Sequence, residues 1–90
     1  MSAPEKSRYP VGTSLKPKLK ASVAGSKSTK IDQYVTAVSN KFAGQEIACN
    51  RRVAQMGCFE LSKQYGVSDE DAAAVAEALC SYIESGACTK

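Results

Sequence analysis

The chain contains no histidine, and that absence removes two broad kinds of chemistry. A mixed Cys/His zinc site cannot form, and the side chain most often used as a general base at neutral pH is missing. No Cys-x-x-Cys pair occurs, so an all-cysteine zinc site and a dithiol catalyst both lack their usual close spacing. There is no Gly-rich phosphate loop and no Ser-centred nucleophile elbow. No apolar run approaches the roughly twenty residues that a membrane span needs. The expectation is a protein that is not an enzyme, with no catalytic residue, no metal site and no cofactor. The acids Asp69, Glu70 and Asp71 fit the start of a helix better than an acid–base pair.

What is present is concentrated between Gln45 and Cys88, where all four cysteines fall: Cys49, Cys58, Cys80 and Cys88. Eight residues separate the first pair and seven the second. Between the pairs lies a turn signal, Gly66-Val67-Ser68-Asp69-Glu70-Asp71, and its flanks read as helices. Folding the chain back about that turn brings Cys58 opposite Cys80 and Cys49 opposite Cys88, which predicts a helical hairpin stapled by two disulfides. About sixty residues are fit to fold, few enough for covalent staples or a large partner to be expected. Disulfides imply an oxidising compartment or import route. The alternative is four buried free thiols acting as small hydrophobes.

The formal net charge of +3 hides a division. Residues 1–30 carry Lys6, Arg8, Lys16, Lys18, Lys20, Lys27 and Lys30 against Glu5, a balance of +6, and residues 31–90 carry five bases against eight acids, a balance of −3. The basic segment also holds three prolines, two glycines and six serines, with little apolar beyond Val11, Leu15, Leu19 and Val23. Such a composition predicts an extended or disordered arm over residues 1–29. In extended backbone the run Leu15-Lys16-Pro17-Lys18-Leu19-Lys20 places its lysines on one edge and its apolar residues on the other. That edge suits a phosphate backbone, with RNA the commonest large polyanion. Arg8, Lys16, Lys18, Lys20, Lys27 and Lys30 are the candidate nucleic-acid-binding residues. A solvated tail and a cleavable targeting segment are the competing readings.

From residue 30 the pattern is helical, and the fold class expected is all-α: a hairpin domain over 30–90, with helices at about 30–65 and 69–85, preceded by the arm and an extra N-terminal helical segment. Ile31, Val35, Val38, Phe42, Cys49, Val53 and Met56 form one apolar stripe, and Ile47, Ala54, Cys58, Leu61 and Tyr65 a second. Thr29 is placed to cap the first helix, with Asp32 completing a capping box. Gly44 and Gly57 are possible breaks. Gly66 is the expected C-cap, Ser68 caps the second helix, and Gly86 ends it. Ala72, Val75, Ala76, Leu79, Tyr82 and Ile83 make its buried face. Helical phase separates the two staples. Nine residues at about 100° each put Cys49 roughly half a turn from Cys58, so Cys58–Cys80 is the central bridge and Cys49–Cys88 needs a bend at Gly57 or a wrapping C-terminus.

Two helices in a hairpin, each with a widely spaced cysteine pair, together with Cys58-Phe59 and Tyr65-Gly66 at the turn and a prolyl-basic arm over Arg8 to Lys30, resemble the mitochondrial coiled-coil-helix-coiled-coil-helix (CHCH) proteins and their twin Cys-x9-Cys pattern. The resemblance implies a non-catalytic mitochondrial protein oxidised on import. In the ribosomal branch of the family it implies a structural subunit in the matrix, its arm on rRNA and its hairpin on neighbouring proteins, not a free monomer. The alternative is an accessory subunit or assembly factor of a respiratory-chain complex in the intermembrane space. Less favoured are a pigment-carrying light-harvesting linker and a thiol carrier in which Arg51 and Arg52 activate Cys49.

Overall fold

Leu15, Leu19 and Val23 recur every four residues, a helical period inside the segment expected to be extended. The computed structural model, which describes residues 7–9, 12–25, 28–47 and 49–87, corrects that expectation: Gly12–Ser22 is a helix, α1. Leu15, Leu19 and Val23 are buried in the same core as the rest of the chain. Pro17 sits inside α1, where the lost N–H and the ring clash cost about 3 kcal/mol. Fully burying two leucines and a valine offsets it, at about 1.5–3 kcal/mol per side chain. The boundary expected between arm and domain at residue 29 therefore divides a shared core.

The long helix expected at 30–65 is two helices. Helix α2 spans Thr29–Phe42 and α3 spans Arg51–Tyr65. Gly44 lies between them at φ 68°, a left-handed backbone that any Cβ would disfavour. Asn50 then starts α3, its side-chain oxygen accepting from the Val53 amide at 2.9 Å, the usual work of an N-cap. The break resets the helical phase. Ile31, Val35, Val38 and Phe42 are buried as expected, whereas Val53 is only half-buried and Met56, assigned to the same stripe, is 63% exposed.

Ser28 caps α2 in place of Thr29, accepting from the Lys30 amide. At the other turn the expectation holds. Gly66 is the left-handed C-cap of α3 and Ser68 the N-cap of α4, Asp69–Tyr82. The Ser68 hydroxyl accepts from the Asp71 amide and donates to the Asp71 carboxylate, and three acids occupy the first turn, where the helix dipole favours them. Beyond Tyr82 the chain continues as a π turn, Ile83–Ala87, so Gly86 does not end the helical segment.

Helix α1 packs on α2, α2 on α3, α3 on α4, and α4 back on α1. Cross-contacts fix the directions as alternating. Lys20 meets Asp32 across α1 and α2, Phe42 at the end of α2 lies against Gly57 while Lys30 at its start lies by Gly66 at the end of α3, and a three-residue turn reverses α3 into α4. The architecture is an up-and-down bundle of four helices, with the expected hairpin as half of it. A two-residue antiparallel pair, Ser7–Arg8 (β1) with Glu46–Ile47 (β2), straps the N-terminal segment to the α2–α3 link. It delivers Tyr9 onto the Phe42 ring, centroids 4.8 Å apart. Gly57 is the reason Phe42 fits: a Cβ there would lie 2.5 Å from the Phe42 ring tip. It serves close helix approach, and α3 runs through it as one element.

Candidate functional site

The α3–α4 seam is built from small residues. Ala54, Cys58 and Ser62 on α3 and Ala72, Ala76 and Cys80 on α4 are all buried, each series spaced by four. With the turn centred on Val67, Ala54 stands level with Cys80, Cys58 with Ala76 and Ser62 with Ala72. The Cys80 thiol accordingly reaches the Arg51 carbonyl, at 3.9 Å, one turn before Ala54.

This register corrects the expected central staple. Cys58 and Cys80 are free, buried thiols. For Cys58 and Cys80 to stand opposite each other the chain must fold back about Asp69, midway between them; the turn is centred two residues earlier, at Val67, which offsets them by four residues, about 6 Å along the seam. A disulfide needs sulfurs about 2 Å apart. Cys49 is disulfide-bonded; its expected partner, Cys88, lies outside the described residues.

Burial makes the core thiols poor nucleophiles. Loss of solvent pushes Cys58 up from 9.0 to about 12, with the neighbouring Cys80 adding to the rise and Tyr34 opposing it. Cys80 is raised too, by burial first, with Arg51 pulling the other way. The Tyr34 hydroxyl donates to the Cys58 carbonyl at 2.7 Å and burial raises its pKa. Tyr9 is pushed to about 12, also by burial.

Of the six expected nucleic-acid-binding residues, Lys27 lies outside the described residues and the others do not share one edge. On helical α1, Lys16 and Lys20 fall on one side, and Lys18 points about 160° away from either, over the groove toward Ala78 and Ser81 of α4. Lys20 pairs with Asp32 at 3.1 Å, and its hydrogen bond and charge, helped by Lys16, hold that carboxyl below its ordinary value. Arg8 pairs with Glu46 at 3.5 Å across the strand pair. Lys30 reaches toward the C-cap of α3: its ammonium lies 3.8 Å from where a Gly66 Cβ would stand, at the negative end of the α3 dipole.

Arg51, which the thiol-carrier reading set beside Cys49, ties α3 to α4 and to the π turn that follows it. Its guanidinium meets Glu77 at 3.2 Å and Glu84 at 3.0 Å. The i, i+7 spacing of those acids was the only signal for it in the sequence.

Among the described residues no group of three or more His, Cys, Asp or Glu side chains could hold a metal, and no helix is long and apolar enough to cross a membrane. What the geometry defines is an all-helical unit with a sealed thiol core and a cation-bearing first helix. Comparison with protein families, with characterised proteins and with solved structures finds no match.

Proposed function

We propose that the chain is a non-catalytic structural subunit of a large assembly, and that the cations of its N-terminal third contact RNA, in the mitochondrial ribosome if the CHCH resemblance holds. The observation that carries this is the two-sidedness of α1. Leu15 and Leu19 are fully buried, whereas Lys18 and Lys20 are exposed and Lys16 is half-exposed. A docked helix holds these cations in fixed positions, so less ordering entropy is lost on binding than with a free arm. The sealed, proton-retaining thiols favour a structural role over thiol chemistry.

Binding of the full chain to an rRNA fragment, titrated by fluorescence anisotropy between about 50 and 200 mM salt, tests the reading. Affinity is expected to fall steeply with salt. Replacing Lys16, Lys18 and Lys20 together by Gln should lower the slope by about one, since each single-strand phosphate contact contributes roughly 0.7, Lys18 faces away from the other two and Lys20 is shared with Asp32. Binding without salt dependence, or none at all, overturns the reading.

The disulfide at Cys49 favours a second reading, an accessory subunit or assembly factor of a respiratory-chain complex in the oxidising intermembrane space. There the same cations would lie on acidic protein surfaces or anionic lipid heads. In either reading Cys88 is the partner we propose for Cys49. Reduction should then raise the intact mass by about two units, one bridge's worth, and not four.

A further inference from the structure

We propose that the groove between α2 and the C-terminal end of α3 is a single-stranded RNA site, in which Tyr65 stacks on a base, the Gln33 amide binds the edge of that base, and the Asn40 amide, about 10 Å further along α2, binds the next base. This rests on the RNA reading above and adds a location for base contact.

The groove, about 470 Å³, is lined by Asp32, Gln33, Thr36, Ala37, Asn40 and Tyr65. Gln33, Ala37 and Asn40 follow one another at intervals of four and three, a continuous strip along α2. Tyr65 is the last residue of α3. It is half-buried and packed against the core, so its ring is held in place while part of it faces the groove. Such an anchored aromatic is what base stacking needs.

The Gln33 and Asn40 side chains make no hydrogen bond to a described residue and are exposed. Each offers donors and an acceptor together, the combination that pairs with a base edge. Thr36 has committed its hydroxyl proton to the Asp32 carbonyl and can still accept, as from a ribose 2′-hydroxyl. The carboxylate in the lining, Asp32, is neutralised by Lys20, and Lys30 stands beside Gly66 at the Tyr65 end. Both cations thus stand by the first turn of α2, at the Tyr65 end of a concavity whose walls are an aromatic ring and two amides. A duplex hides its base faces, so the expected ligand is a single strand.

The test uses the full chain with a fluorescein-labelled oligouridylate of about twelve nucleotides, against a duplex of the same length. The single strand should bind more tightly. Tyr65→Ala should weaken it roughly tenfold with an unchanged salt slope, because stacking is lost and no phosphate contact is. Tyr65→Phe should bind within about twofold of the unsubstituted chain, as it retains the ring. The double variant Gln33→Ala/Asn40→Ala, at exposed positions that leave the core intact, should weaken binding roughly fivefold. If both the Tyr65→Ala and the double variant bind as the unsubstituted chain does, with salt-dependent affinity, the groove is overturned and the wider RNA reading stands. If the unsubstituted chain binds neither RNA at any salt, both fall.

Discussion

The two halves of the bundle bury their contacts by opposite means. The α1–α2 half contributes bulk: Leu15, Leu19, Val23, Ile31, Tyr34, Val35, Val38 and Phe42, with Tyr9 strapped over the end. The α3–α4 half adds Val75 and Leu79 to that core, but its own seam works by proximity, through the Ala54, Cys58, Ser62 and Ala72, Ala76, Cys80 series. Bulk tolerates imperfections around it, which is how α1 carries a proline and three lysines. A small-residue seam depends on register, so an offset of one turn is enough to leave two facing cysteines unjoined.

Substitutions should separate the halves. Leu19→Ala or Leu15→Ala should each cost about 2–5 kcal/mol in denaturant unfolding, the range for cavities in a core. An extended arm would make either change nearly silent. Ala76→Leu should cost about 1–3 kcal/mol, because extra volume in the seam forces α3 and α4 apart. The same enlargement at exposed Ala21 of α1 should be close to neutral.

Alkali probes the seam and its neighbours without mutation. Cys58 keeps its proton in the fold up to about pH 12, against 9.0 for an unperturbed thiol, and Tyr9 up to about 12, against 10.0. Between these values the unfolded chain has released protons that the folded one retains. The stabilisation is complete below pH 9 and is lost progressively as pH rises toward 12. The Cys58 share has a limiting slope of about 1.4 kcal/mol per pH unit. Unfolding midpoints measured from pH 8 to 11 should fall, and Cys58→Ala should flatten the decline while lowering stability at pH 8. The smallest expected effect is at Arg51. Its removal should lower stability slightly and only at low salt, since its pairs with Glu77 and Glu84 are exposed.

How much of this was legible follows the same division. Helix α4, its Ser68 cap, the Gly66 stop and the face Ala72, Val75, Ala76, Leu79 could all be read, because alanine content, capping chemistry and period coincide there. Helix α1 could not: three prolines and six serines in the first thirty residues outweighed three apolar residues at spacing four, and only tertiary burial tips that balance. The α2–α3 break was signalled by Gly44 and by the capping residue Asn50, but apolar residues continuing at nearly the right phase concealed it. The expected Cys58–Cys80 bridge failed on two residues of turn position. For the candidate site, the sequence marked the cations but not the surfaces they occupy. The Tyr65 groove needed α2 and α3 side by side before Gln33, Asn40 and Tyr65 could be seen as neighbours.

The central claim is that the cationic N-terminal segment is a helix of the core, and amide hydrogen exchange tests it most directly. Amides of Leu19 to Ser22 should show protection close to that of Val35 to Phe42, reporting opening of one cooperative unit. Exchange of residues 19–22 at unfolded-chain rates, with residues 31–42 and 51–82 still protected, would contradict it.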